Sequence, residues 1–357
     1  MLTFHPLVIR QREHIASDAV ALTLEIPDSH REDYGFSCGQ HVAVRAVIDG
    51  RELRRTYSVV SLEGRALRLG VRVQGQMSRY LAETVRVGDA IDVTTPSGRF
   101  RPQERPGDAG RYVAFAAGSG ITPVLSIMTT LLEKRANSRF TLSYGNRDSG
   151  RTMFSEEILS LKNRFMDRVD IHFLMTLEPQ EANLFNGRLD RERITALAGA
   201  CFDPRAVDEY FVCGPSGMID DVVAALRELG VSGRIHAERF TSAASAPAAS
   251  RSEISAESRQ SVGTATEVVV QLDGRRRSFR MPVEDISLLE AAERAGLELP
   301  YSCRDGICST CRVRVVEGRT EMKRNQSLEP WELDAGFVLC CQARPVTPRV
   351  VLSYDEK

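Results

Sequence analysis

Tyr301-Ser302-Cys303-Arg304-Asp305-Gly306-Ile307-Cys308-Ser309-Thr310-Cys311 sets three thiols in one short loop as Cys-x4-Cys-x2-Cys, and Cys341 follows thirty positions later. Thiolates hold iron–sulfur clusters, and three in one loop with a remote fourth is a [2Fe-2S] ligand spacing. Gly306 lets the loop bend without a Cβ penalty. The small residues Ser302, Ser309 and Thr310 leave backbone N–H groups free to point at sulfur, which helps to set a cluster's potential. Structural zinc also uses four cysteines, but zinc ribbons pair their ligands as two close knuckles, whereas here three share a loop. Cys340 and Cys341 are adjacent and in a strand point to opposite sides, so spacing alone leaves the fourth ligand open.

Moving outward, Thr266–Leu272 and Arg275–Met281 flank Asp273-Gly274 as a hairpin, and Ser287–Ala295 reads as a helix leading into the cysteine loop. These elements make residues 262–357 one domain. Before it, residues 241–261 dissolve into Ala, Ser, Pro and scattered charge, a composition that buries no core and acts as a flexible tether.

The N-terminal part, residues 1–104, alternates in short runs at Ala19–Ile26, His41–Ile48, Thr56–Ser61, Leu67–Val73 and Ala90–Thr94, separated by Asp49-Gly50, Glu63-Gly64 and Gly88-Asp89. Closely spaced strands with turn signals predict an antiparallel barrel. On one of them, Arg54-Arg55-Thr56-Tyr57-Ser58, alternation puts Arg55 and Tyr57 on the same face, suited to a phosphate and an adjoining planar ring. Further on, Val73-Gln74-Gly75-Gln76-Met77-Ser78 turns through a glycine into a short helix whose first amides suit a pyrophosphate. A solvated basic edge and a plain helix cap are the alternative readings of these two pieces.

Pro102 to Gly110 reads as a boundary. Beyond it, residues 109–240 change period to alternating strands and helices, with Glu209–Cys213 as the last strand. That pattern predicts an α/β domain with a parallel sheet, whose ligands lie beyond the carboxyl ends of the strands. Both Gly118-Ser119-Gly120-Ile121-Thr122-Pro123 and Cys213-Gly214-Pro215 fall there. Gly118-x-Gly120 is not by itself a dinucleotide fingerprint, which needs a third glycine, and Cys213 reads equally as a buried structural thiol. After the second parallel strand comes Tyr144-Gly145-Asn146-Arg147, with an arginine suited to a 2′-phosphate; Asp148 follows immediately, and a solvated loop arginine beside an aspartate is the alternative reading.

In this order the motifs resemble the ferredoxin–NADP reductase superfamily, with a C-terminal plant-type [2Fe-2S] ferredoxin domain of α+β (β-grasp) fold. The module order is similar to that of the reductase subunits of phenylacetyl-CoA epoxidases. The resemblance implies FAD on the barrel, with Arg55 on its phosphate, Tyr57 against the ring, Ser58 near the reactive nitrogen, and Val73, Gly75, Met77 and Ser78 along the pyrophosphate. It places NADPH at Gly118, Gly120, Thr122, Arg147, Cys213, Gly214 and Pro215, and sets Glu238 and Phe240, with Ser58, at the site of hydride transfer. Gly336-Phe337-Val338-Leu339-Cys340-Cys341-Gln342-Ala343 resembles the ferredoxin ending in which Ser or Thr precedes the last ligand, so the implied set is Cys303, Cys308, Cys311 and Cys341. The implied acceptor is a di-iron oxygenase component. The reductase of a Rieske-type ring hydroxylase shares these modules, and a zinc-binding protein without enzymatic activity is the remote alternative. Two positions depart from the family: Cys38 stands where relatives commonly have proline, and Cys340 precedes the last ligand.

Composition agrees. With a formal net charge of −1 and a pI near 6.6, nothing suggests a nucleic-acid partner. The most apolar window, Tyr112 to Leu132, is broken by Gly118, Gly120 and Pro123, which suits a buried strand–turn–helix better than a membrane span. Eight cysteines, half of them in one motif, fit a reducing cytoplasm.

Overall fold

A computed structural model describes residues 3–61, 66–240, 265–282, 286–328 and 330–356. The described residues fall into two compact units, 4–240 and 265–356. The tether expected over 241–261 lies outside the described residues.

The first unit begins with six antiparallel strands, β1 (Phe4–Ala16), β2 (Ala19–Glu25), β3 (His41–Ile48), β4 (Arg51–Ser58), β5 (Leu67–Arg72) and β6 (Ala90–Thr94), in the order β4-β3-β6-β1-β2-β5. The two ends of the sheet meet where Val59 bridges Leu69 and the Val60 amide donates to the Arg68 carbonyl at 2.8 Å. The sheet is thereby a closed barrel, filled by Leu7, Ile9, Leu22, Val44, Leu69 and Val93. Two strands differ from the expectation set by sequence. β1 is not visible there because register shifts at Ile9/Gln11 and His14/Ala16 break its two-residue period. β4 starts at Arg51 rather than Thr56 because Asp49 and Gly50, at φ 52° and 73°, form the tight hairpin turn that pairs Ile48 with Arg51.

A parallel sheet follows, with strands β7 (Ala109–Ala117), β8 (Asn137–Asn146), β9 (Val169–Met175), β10 (Glu209–Gly214) and β11 (Arg234–Arg239) in the order β11-β10-β7-β8-β9. Its helices are α2 (Ile121–Lys134), α3 (Ser155–Arg164), α4 (Arg191–Leu197) and α5 (Ser216–Glu228), counting α1 as the short helix Gln76–Arg79 of the barrel. Glu209–Gly214 is therefore not the last strand. β11 lies beyond it as a polar edge strand whose alternation is masked by charge at Arg234, Glu238 and Arg239. One face of the sheet packs on α4 and α5 through Val113, Val212, Ile219 and Leu226. The other face packs on α2, and that core runs on into the barrel through Ala19, Ala21, Cys38, Val60 and Phe100.

The second unit is a mixed sheet of β12 (Ala265–Leu272), β13 (Arg275–Pro282), β14 (Arg312–Glu317), β16 (Phe337–Leu339) and β18 (Arg349–Ser353), ordered β13-β12-β18-β14-β16, with a small pair β15 (Thr320–Met322) and β17 (Ala343–Pro345) beside it. Asp273 and Gly274 both take positive φ in the expected hairpin turn. Helix α6 (Leu288–Arg294) is capped by the Ser287 hydroxyl, which accepts from the Glu290 amide at 3.2 Å. Leu288, Leu289 and Ala292 bury its inner face against Val268, Val313 and Leu352. The whole chain is thus multidomain: an antiparallel barrel, a parallel α/β sheet and an α+β ferredoxin domain.

Gly120 marks the tightest backbone approach between the turns of the parallel sheet. A Cβ there would lie 2.1 Å from the carbonyl oxygen of Cys213, so the turns after β7 and β10 touch. Gly120→Ala is expected to destabilise by about 2 kcal/mol or more, as overpacking does, with a fall of several degrees in Tm. Gly217→Ala, where a Cβ meets nothing within 4 Å, is expected to be neutral in the same thermal scan.

Candidate functional site

The barrel brings its candidate residues to the end of β4. Arg55 is exposed and its guanidinium donates to its neighbour's carbonyl, that of Arg54, at 2.7 Å. Arg54 is instead bound to Glu52 at 2.7 Å, so the second arginine of the pair is the one that turns outward. Tyr57 leans on the barrel core, and burial pushes its phenol up, which keeps it neutral. Ser58 is 2% exposed and its Oγ has no hydrogen-bond partner among the described residues. A buried hydroxyl without a partner costs about 1–3 kcal/mol, an arrangement that suits a polar cofactor edge. At α1, the Ser78 hydroxyl accepts from the Gln74 and Gly75 amides, each at 2.9 Å. The hydroxyl therefore shapes the turn, while the amides of Gln76, Met77 and Ser78, ahead of the Arg79-to-Gly75 bond, have no acceptor inside the helix. The Val73 amide is committed to the Asp18 carbonyl at 2.9 Å. An orphaned hydroxyl, an exposed guanidinium and open first-turn amides together fit a phosphorylated flavin.

The parallel sheet contributes the opposing wall. Gly118 takes φ 56°, accepts from the Tyr144 phenol at 2.9 Å, and leaves room for the Arg72 guanidinium, which a Cβ would approach to 2.8 Å. The Thr122 hydroxyl donates back to the Ser119 carbonyl at 2.9 Å and so holds the turn. Cys213 is fully buried, and Pro215 caps α5 beside Gly214. In register with Cys213 on β11 stands Glu238. Burial first, and then the Glu238 charge, push the Cys213 thiol well up. Phe240 is half-buried against the shared core, its amide 3.4 Å from the Gly214 carbonyl. Arg147 is exposed at the end of β8, two strands from Cys213. The carboxylate of the adjacent Asp148 accepts the Arg151 amide at 3.1 Å.

The two walls meet. Glu238 Oε1 lies 3.7 Å from His41 Nδ1, and His41 pairs directly with Ser58 across β3 and β4. Sequence reasoning missed His41; the signal that could have found it is its place opposite Ser58, which emerges only once β4 is seen to start at Arg51.

In the second unit the four thiols fall into two pairs, Cys303 with Cys308 and Cys311 with Cys341, each joined by a hydrogen bond. Hydrogen bonding from Cys308 and from backbone amides pulls the Cys303 thiol down to about 6, and the bond from Cys311 lowers Cys341. Their partners Cys308 and Cys311 are pushed up by the same bonds and by burial. Amide donors surround the sulfurs: Cys303 N reaches Cys308 Sγ at 3.5 Å and Asp305 N reaches Cys303 Sγ at 3.4 Å. Arg304 and Ser309 adopt left-handed backbone, at φ 61° and 54°, to turn the loop inward. Among the described residues no three Cys, His, Asp or Glu side chains converge on a single ion. Two pairs lined by N–H donors suit a binuclear cluster better than one tetrahedral zinc. Cys340 sits in the hydrophobic core, its thiol pushed up to about 12 by burial, beside the Tyr354 hydroxyl.

Comparison with known proteins agrees with this geometry. Residues 6–101 match the oxidoreductase FAD-binding domain, 115–224 the oxidoreductase NAD-binding domain and 270–346 the 2Fe-2S iron-sulfur cluster binding domain. The fold and the three sites define an NAD(P)H-dependent electron-transfer reductase that uses FAD and a [2Fe-2S] cluster. A 1,2-phenylacetyl-CoA epoxidase subunit from Escherichia coli is 40% identical, covering 100% of this chain and 99% of that one. The ferredoxin reductase component of 3-ketosteroid-9-alpha-monooxygenase from Rhodococcus rhodochrous is 30% identical over 95% of this chain and 93% of its own. Phthalate dioxygenase reductase shares the fold, with a TM-score of 0.57 at 24% identity and 98% of each chain covered. On its identity to the epoxidase subunit and the ketosteroid monooxygenase component, the chain belongs to the family of oxygenase reductase components. Among the described residues no helix is long and apolar enough to cross a membrane.

Replacing Cys341 with serine is expected to abolish the assembled cluster, whereas Cys340→Ser keeps most of it at some cost in stability. Iron content and visible spectra of the two purified variants discriminate, and the opposite pattern would assign the ligand to Cys340.

Proposed function

We propose that this reductase carries electrons from NADPH through FAD and the [2Fe-2S] cluster to a di-iron oxygenase of the phenylacetyl-CoA epoxidase type, in a reducing cytoplasm. The observation that carries the reading is the end-to-end likeness to an epoxidase subunit. It is supported by a first unit in which His41 pairs with Ser58 and stands 3.7 Å from Glu238, and by a second that presents paired thiols. When bound, the nicotinamide supplies hydride, the flavin divides the electron pair and the cluster takes single electrons.

The residues have distinct tasks. Arg55 clasps the flavin phosphate and the open amides of Gln76, Met77 and Ser78 meet the pyrophosphate, with Gly75 and Val73 shaping their approach. Tyr57 flanks the ring and Ser58 offers its orphaned hydroxyl to the ring edge. On the opposite wall, the Gly118–Gly120 turn, held by Thr122, receives the coenzyme's phosphates, and Cys213, Gly214 and Pro215 border the nicotinamide. Glu238 and Phe240 close the hydride-transfer site from β11. Cys303, Cys308, Cys311 and Cys341 hold the cluster.

A ring-hydroxylase acceptor is the second reading, favoured by the 30% identity to a ketosteroid monooxygenase reductase component. NADPH oxidation by the purified protein, measured with a di-iron epoxidase and phenylacetyl-CoA or with a Rieske-type oxygenase and its substrate, decides between them. Substrate-coupled turnover with the epoxidase alone is expected; coupling only to the Rieske protein overturns the proposed acceptor.

Arg147 is expected to read the 2′-phosphate. Its loss removes one charge-assisted contact of roughly 1.5–3 kcal/mol, so Arg147→Ala should raise the KM for NADPH by about ten- to a hundredfold and leave that for NADH nearly unchanged. Steady-state kinetics with both coenzymes checks this, and equal effects would remove Arg147 from the coenzyme site.

A further inference from the structure

The carboxylate of Glu238 has an unusual neighbourhood. Glu238 is mostly buried, its Oε2 has no hydrogen-bond partner among the described residues, and the residue opposite it is a buried thiol. The thiol of Cys213 is pushed up and so brings no charge. The polar group that reaches Glu238 from the barrel is the imidazole of His41, with Nδ1 3.7 Å from Oε1, which is ion-pair rather than hydrogen-bond range.

His41 is built to stay there. On one side it pairs with Ser58, so both side chains share a face. On the other, its backbone exchanges two hydrogen bonds of 2.8 Å with Ser97. The ring occupies space that only glycine leaves open: Gly98 takes φ 123°, and a Cβ there would stand 2.9 Å from Nδ1. An imidazole clamped this way has little freedom, whereas a lone carboxylate on an edge strand has several rotamers.

We propose that His41 is the positioning residue for Glu238: a barrel side chain that fixes the carboxylate of the nicotinamide domain, and with it the spacing of the two walls. The proposal rests on the reading that places Glu238 at the hydride-transfer site. It makes His41 matter to the rate of transfer rather than to coenzyme affinity, because the coenzyme's phosphates are held at the Gly118–Gly120 turn and at Arg147.

The test uses the full-length holoenzyme. His41→Leu fills the ring's space without a polar atom, His41→Asn restores a nitrogen near the Nδ1 position, and Glu238→Gln removes the charge. Flavin reduction by NADPH is followed anaerobically, and the Kd for NADP+ is read without turnover from perturbation of the flavin spectrum. His41→Leu is expected to slow flavin reduction about ten- to a hundredfold and to keep the NADP+ Kd within about twofold. His41→Asn should recover most of the rate. The His41→Leu, Glu238→Gln double variant should be no slower than about threefold below the slower single variant, the mark of groups acting as one. Unchanged rates in His41→Leu, multiplying effects in the double variant, or an Asn variant as slow as the Leu variant would each overturn the proposal. A protein that holds no flavin at all would instead overturn the functional reading on which it rests.

Discussion

The packing of the barrel onto helix α2 is the constraint on which the rest of the first unit depends. Ala19, Ala21, Val60 and Phe100 enter the same core as Ile121, Val124, Ile127 and Met128. At its margin the Arg68 guanidinium of β5 forks onto Glu157 of α3, with both bonds at 2.9 Å, and also reaches Glu13 at 2.7 Å. Arg72 binds Asp18 on its own side and the Arg151 carbonyl on the other. Apolar contact supplies most of the adhesion, while the directional arginine forks fix the register. Without that register, His41 of the barrel and Glu238 of the parallel sheet would not approach each other.

Much of this could be read from residues alone, for reasons that differ by region. The parallel sheet was legible because β10 and the second half of β7 are apolar runs buried on both faces. The cysteine loop was legible because thiolate spacing is dictated by a rigid inorganic core rather than by packing. β1 was not, because its bulges disrupt alternation, and β11 was not, because an edge strand needs only one apolar face. The meeting of His41 with Glu238 spans nearly two hundred positions and depends on how two domains dock, information that no local pattern carries. Cys340 and Cys341 illustrate the same limit: alternation says that they face opposite ways, but only the fold shows that one faces Tyr354 and the other Cys311.

The two units solve different electrostatic problems. Around Ser58 and Glu238 the protein leaves polar atoms without internal partners, storing hydrogen-bonding capacity that a bound ligand can satisfy. Around the thiols it does the reverse, aiming amides from a strained loop at sulfur, so that negative charge can accumulate in a poorly solvated place. The first arrangement favours a planar guest with a polar edge. The second favours a permanent anionic one.

Strand β18 carries a consequence for how the molecule is made. It is the last strand in chain order, yet it lies at the centre of its sheet, parallel to β12 and antiparallel to β14. During synthesis, β12, β13, β14 and β16 therefore emerge with the middle of their sheet missing, and the hairpin and the cysteine loop remain unjoined until residues 349–353 leave the ribosome. The first unit, whose strands all precede residue 240, is complete far earlier. Vectorial translation thus imposes an order of maturation: the flavin-binding half can fold while the chain is still growing, and the sheet that carries the cysteine loop closes only after residues 349–353 have been made.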